Sequence, residues 1–278
     1  MNTTTGLICT LAVCCAAFAG CRQPAERLEW TAMGTVAAVQ VRKPPCAAGL
    51  GPAHYRDQAK DAFSMVERLL NAHDPDSELS RLATLPEDAI LAKCDARVRP
   101  CYETAFRLMR ESGGAFNPRW KGPGTLDLGA IAKGFAVDLA EESMYAGADD
   151  LLLDLGGNLK AVRREGGSGR GWNTGVVAPS GGGIAATVEL MPGEALATSA
   201  EYFRGRHIYD GRTGRPAESG VASVTVLCES ATLADGLSTT LFVLGPEEGL
   251  AFMGRNGYKA SVFFVMKDGR EIRNDARF

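Results

Sequence analysis

Histidine is scarce in this chain: three occur in 278 residues, His54, His73 and His207, far apart and never in an HExxH arrangement. The eight cysteines include no CxxC pair. These shortages together exclude the spacings that usually hold zinc. An excess of one charge is missing too. The 30 Lys and Arg stand against 33 Asp and Glu, a net charge of −3, too balanced for a protein that neutralises many phosphates of a polyanion, so no nucleic-acid partner is expected. The apolar run Leu7 to Gly20 is too short to span a bilayer. What is present, 45% hydrophobic and 23% charged residues, is the balance of a soluble globular protein and excludes disorder or a multi-span membrane protein. A chain of this length buries a full core without disulfide staples.

The first charged side chain is Arg22, and the apolar run before it reads as a secretory signal. Phe18-Ala19-Gly20-Cys21 places small residues before a cysteine, which resembles the box where a bacterial lipoprotein is cut and acylated. The expected organisation is a lipoprotein signal at 1–20 and one domain at 21–278, with the lipid on Cys21. No Lys or Arg stands at the very start, a departure from the usual signal. Cys46, Cys94, Cys101 and Cys228 remain in the body; a Cys94–Cys101 disulfide and isolated buried thiols are both open.

Residues 28–41, rich in Val, Ala and Thr, suggest a strand interrupted at Met33-Gly34-Thr35. Apolar residues at helical spacing predict helices over 53–70 and 100–112. Residues 125–128 read as a short strand leading into a helix that carries Ile131, Phe135 and Leu139 on one face, and 150–155 as a buried strand. Residues 159–228 read as short strands broken by glycine clusters, as in hairpins. A cap at Ser230 or Thr232 opens a helix over 233–244 that Gly245-Pro246 terminates, and a helix and strand pair over 246–266 follows. The fold class expected is a single α+β domain with a mixed, largely antiparallel sheet and packing helices.

Gly166 to Gly171 lacks the strand-to-helix context and the lysine of a phosphate loop, and reads as a hairpin loop. The helix at 233–244 says more. Asp235 and Thr239, four apart, share a face, with Ser238 beside them. Such hard oxygens suit Mg²⁺ or Ca²⁺, while a carboxylate that only stabilises the helix dipole fits the spacing equally. At 127–134, a glycine-punctuated helix start leaves backbone groups free for a ligand. There Lys133 meets a phosphate or is simply a surface lysine.

Eight blocks in order then resemble one family: Met33-Gly34-Thr35; Asp76 to Leu82; Gly114-Ala115-Phe116-Asn117-Pro118; Asp127 to Gly134; Asp154 to Asn158; Ala197-Thr198-Ser199; His207 to Asp210 with Arg212-Thr213-Gly214; and Ala234 to Thr239. In this order they are similar to the FAD:protein FMN transferase (ApbE) family of flavin-transferring bacterial lipoproteins, over residues 28–266 and in a shortened form. The resemblance implies an ApbE-like, T-fold-related domain. It also implies Mg²⁺-dependent cleavage of FAD, with FMN esterified to a Ser or Thr hydroxyl of an extracytoplasmic acceptor protein of electron-transfer type, and AMP released. Asp235, Thr239 and the Ala130 carbonyl would hold the metal, with Ser238 a further candidate and Ca²⁺ or Mn²⁺ as substitutes. The flavin positions would be Met33, His73, Ala115, Phe116, Asn117, Asp127, Lys133 and Tyr209. His207 would take the hydroxyl proton, or only orient the substrate. The expected location is extracytoplasmic, facing the periplasm and tied to the membrane through the lipid on Cys21.

Three departures stand out. The long insertion the family carries between Asn117-Pro118 and Asp127 shrinks to Arg119–Leu126, Gly211 replaces the proline of Asp-Pro-Arg-Thr-Gly, and His73 stands where an aromatic is common. A less enclosed site follows. A flavin-binding lipoprotein without transfer, and an FAD hydrolase giving FMN and AMP, are the alternatives.

Overall fold

The computed structural model describes residues 25–42, 50–144, 150–163, 169–179, 182–201 and 207–278. The signal, Cys21, Cys46 and the glycines at 166–167 lie outside the described residues. In chain order the elements are β1 (Glu26–Ala32), β2 (Thr35–Arg42), α1 (Pro52–Leu70), α2 (Glu78–Leu82), α3 (Glu87–Lys93), α4 (Arg99–Glu111), α5 (Ala132–Glu142), β3 (Asp150–Leu155), β4 (Asn158–Ala161), β5 (Trp172–Val177) and β6 (Ile184–Leu190). They continue with β7 (Ala195–Ala200), β8 (Tyr209–Asp210), β9 (Arg215–Pro216), β10 (Val221–Cys228), α6 (Ala231–Asn256), β11 (Ser261–Met266) and β12 (Glu271–Arg273).

Residues 28–41 are not one interrupted strand. Met33 and Gly34 take successive positive φ values of 49° and 68°, which reverse the chain and pair β1 antiparallel with β2. From this hairpin an eight-stranded sheet grows in the order β1-β2-β3-β4-β7-β10-β11-β12. Every pairing within it is antiparallel, which bears out the α+β domain with a largely antiparallel sheet expected from sequence.

Strand alternation feeds two cores. Leu151, Leu153 and Leu155 of β3 join Val224 and Val226 of β10 under α1, α4, α5 and α6. Leu152, Leu159, Leu196 and Leu227 face the other way, against Trp172, Val188 and Leu190 of the β5–β6 hairpin. Val176 and Ala186 extend that second layer over Phe263 and Val265. A sheet buried on both faces explains why β3 reads as a continuous apolar run. Each fully buried phenylalanine of the helical core, such as Phe63, Phe106 and Phe252, contributes about 1.5–3 kcal/mol.

Helices α5 and α6 cross at Gly134. A Cβ there would stand 2.1 Å from the Ala231 carbonyl oxygen and 2.8 Å from Asp235 Cβ, so only glycine admits this approach. Asp138 of α5 locks the crossing by accepting from the Ala231 and Thr232 N–H groups at 2.9 and 2.8 Å. Ser230 is the N-cap of α6, accepting from the Leu233 N–H. The helix loses helical geometry at Gly245, as its Gly-Pro pair implies, and resumes to Asn256.

One further expectation is corrected, and one open alternative is decided. Residues 125–128 form no strand: Thr125 N–H bonds back to the Gly122 carbonyl and Asp127 N–H to that of Pro118, so the segment is a closed turn. Cys94 and Cys101 are free and buried, as is Cys228, and Cys101 packs inside α4 among core side chains. Helices α2 and α3 and strand β12 are additions that sequence periodicity, being short there, did not signal.

Candidate functional site

The α5–α6 crossing assembles the first half of the site. Asp235, buried one turn into α6, accepts the Gly134 N–H through Oδ2 at 3.0 Å. That N–H is one of the orphan donors at the start of α5, so the carboxylate stabilises a helix dipole, but that of α5 instead of its own helix. Lys133 Nζ lies 3.7 Å from the same Oδ2 and donates to the Gly129 carbonyl at 3.3 Å. It thereby braces the turn that carries Ala130. Thr239, one turn further along α6, is half-buried. Ser199 of β7 joins it at 3.2 Å and Ser238 at 2.8 Å. Ser238 is fully buried and also donates to the Asp235 carbonyl, so its hydroxyl is engaged within the protein.

Loops build the second half. Asn117 donates through Nδ2 to the Gly211 carbonyl at 3.1 Å, and its Oδ1 accepts the Arg119 N–H at 2.8 Å. Gly211 N–H returns a bond to the Ala115 carbonyl at 3.1 Å. Proline has no such donor, and a Cβ at 211 would meet Asn117 Cβ at 2.3 Å. This glycine therefore lets the two loops dock directly. Tyr209 stacks on Trp120, centroids 4.1 Å apart and planes 16° from parallel. Ala115 and Phe116 turn their side chains into the helical core, and both their N–H groups bond to Ser112, through its carbonyl and its hydroxyl.

Asp127 joins the halves. It accepts from the Gly129 N–H at 2.9 Å and pairs with Lys121 at 2.9 Å. Burial alone would push its carboxyl up, yet the Gly129 N–H, the Lys121 ammonium and the Trp120 side chain hold it below the usual carboxylate range. A continuous series of contacts therefore runs from the Trp120–Tyr209 stack through Asp127, Gly129 and Lys133 to Asp235 and the hydroxyls behind it.

The remaining expected positions lie off this path. Met33, in the β1–β2 turn, bonds through its N–H to Glu67 of α1 at 3.4 Å. His73, exposed in the turn after α1, bonds to Asn71. His207 is exposed just before β8 and adjoins Ile208, whose carbonyl accepts from Ala217. Sequence reasoning passed over Ser199, although it sits in a quoted block, and over Trp120, whose signal was a large aromatic within a Gly- and Pro-rich turn.

The family model for ApbE matches residues 33–123 and 120–264. The chain belongs to the ApbE family. The two matched pieces meet inside the short 119–126 connection, where the structure places the Trp120 turn. An FAD:protein FMN transferase of Rhodobacter capsulatus is 39% identical over 153 residues, covering 52% of this chain and 28% of that protein. One from Vibrio cholerae is 35% identical over 156 residues, covering 52% and 46%. The match thus spans less than half the length of these curated ApbE-family relatives. Among solved structures, the Pseudomonas stutzeri flavinyl transferase ApbE in its apo form is 26% identical with a TM-score of 0.71, covering 89% of this chain and 93% of that one. The ApbE protein of Thermotoga maritima shares the fold at a TM-score of 0.76 and 22% identity, covering 91% and 97%.

Proposed function

We propose that this protein moves the FMN portion of FAD onto a Ser or Thr hydroxyl of an extracytoplasmic acceptor protein, with AMP as leaving group. The observation that carries the reading is the unbroken series from an aromatic stack to a buried carboxylate and its hydroxyls, which matches a substrate with flat rings at its ends and a pyrophosphate between them. The acceptor oxygen forms a bond to the FMN-side phosphorus, the phosphoanhydride bond breaks, and AMP departs with the bridging oxygen. His207 takes the hydroxyl proton. Lys133, drawn from Gly129, holds a phosphate oxygen. Asp127 fixes the turn between stack and phosphates.

The donors gathered at α6 are one carboxylate and hydroxyls, with the Ala130 turn close in sequence to Lys133, a hard-oxygen set that fits Mg²⁺. Asp235, Thr239 and the Ala130 carbonyl would hold the ion, with Ca²⁺ or Mn²⁺ as substitutes. When bound, the ion offsets charge on the phosphate oxygens. The acyl-bearing Cys21 would tether the domain to a membrane on its periplasmic side, facing acceptors of the electron-transfer kind.

The test is mass spectrometry of an acceptor domain incubated with FAD and Mg²⁺, looking for the mass of one FMN. Asp235→Asn keeps an acceptor for the Gly134 N–H and should therefore keep the melting temperature, while transfer falls by at least roughly 10²-fold. Undiminished transfer by Asp235→Asn would remove the metal assignment. FMN and AMP released with no labelled acceptor would identify a hydrolase.

A further inference from the structure

The short connection after Asn117 is more tightly built than a plain link requires. Arg119 donates to the carbonyls of Ala83, Leu85 and Thr125, and Asp127 N–H closes the segment on Pro118 at 2.8 Å. On this base the half-buried Trp120 lies flat on Tyr209 at 4.1 Å. The Lys121 ammonium stands 5.0 Å from the indole centroid and is itself anchored on Asp127. A turn needs no indole held at a fixed tilt, and the Asp127 contact ties this one to the series that ends at Asp235. We infer that Trp120 is a ligand-binding residue of this chain. Its stack with Tyr209 is a platform onto which one planar heteroaromatic ring of the dinucleotide docks, filling the role of a longer covering segment. This rests on the FAD reading above.

Aromatic stacking of a base or ring is worth about 1–3 kcal/mol, so Trp120→Ala should weaken FAD binding by roughly tenfold or more. Dissociation constants for FAD, FMN and AMP, measured by calorimetry on the full chain and on Trp120→Ala, Trp120→Leu and Trp120→Phe, test it. Expected are weak binding by the Ala and Leu variants and near-normal binding by Phe, with melting temperatures of Leu and Phe unchanged. The loss should appear with FMN if the docked ring is the flavin and with AMP if it is the adenine. FAD bound equally well by the unsubstituted chain and the Leu variant overturns the platform while leaving the function intact. An unsubstituted chain that binds none of the three overturns both.

Discussion

The two halves of the site are made in different ways. The Asp235 half stands on regular elements, two helices and a strand, and its contacts pass through a crossing with no room for a single added carbon. The Trp120 half stands on turns, joined by hydrogen bonds between segments about ninety residues apart. The first half is rigid because moving any donor means moving a helix against a packed core. The second is held by several modest bonds of about 1 kcal/mol each. On the proposed reading, the metal and phosphate ligands sit on the stiff half, while His207 and the ring platform belong to the adjustable one.

Four expectations break or sharpen this contrast, beginning with the largest effect. His207→Ala should slow transfer by roughly 10² to 10⁴ while FAD affinity holds; parallel loss of affinity in a binding measurement would assign His207 to substrate orientation. Gly134→Ala forces α5 from α6 and should cost on the order of 3 kcal/mol, a fall of roughly 6–12 °C in melting temperature. Gly211→Ala meets Asn117 at a similarly short distance, yet the loops can part, so about 1 kcal/mol and a fall of roughly 2–4 °C are expected. Melting curves that reverse this order would refute the division into stiff and adjustable halves.

The smallest effect is on pH. The folded Asp127 carboxyl titrates below its unfolded value, so its contribution is complete above the unfolded value of about 4 and is lost as pH falls through the lower folded one. Tryptophan emission should therefore stay level down to roughly pH 5 and change only under about pH 4. Asp127→Asn should remove that step, and a step that survives the substitution belongs to another group.

Legibility in the sequence follows the same division. The pair Asp235 and Thr239 was visible because helical periodicity alone sets which side chains share a face. The helices at 52–70 and 99–111 were visible for the same reason. The β1–β2 hairpin was hidden because its turn uses Met33 at positive φ, a conformation few side chains other than glycine advertise. The turn at 125–128 resembled a strand since its apolar residues, Leu126 and Leu128, face the core without any neighbouring strand to pair with. Neither the role of Ser199 nor the stack of Trp120 on Tyr209 has a local signal, because each partner comes from a distant segment.

The burial of the sheet on both sides also bears on how the strands find their alignment. Where one face is wet, a slip by one residue exposes apolar side chains and is penalised at once. In β3, a slip merely exchanges the leucines at 151, 152 and 153 for one another, so the penalty there rests on Asp154, whose carboxylate would turn into the helical core. The turn that follows fixes that residue in place: Gly156 and Gly157 sit at φ of 61° and 88°, and Asp154 Oδ1 accepts the Gly157 N–H at 3.0 Å. Thr35 fills the space a side chain at 156 would need. A four-residue corner that includes Asp154 thus acts as the ruler for a strand whose leucines alone cannot count.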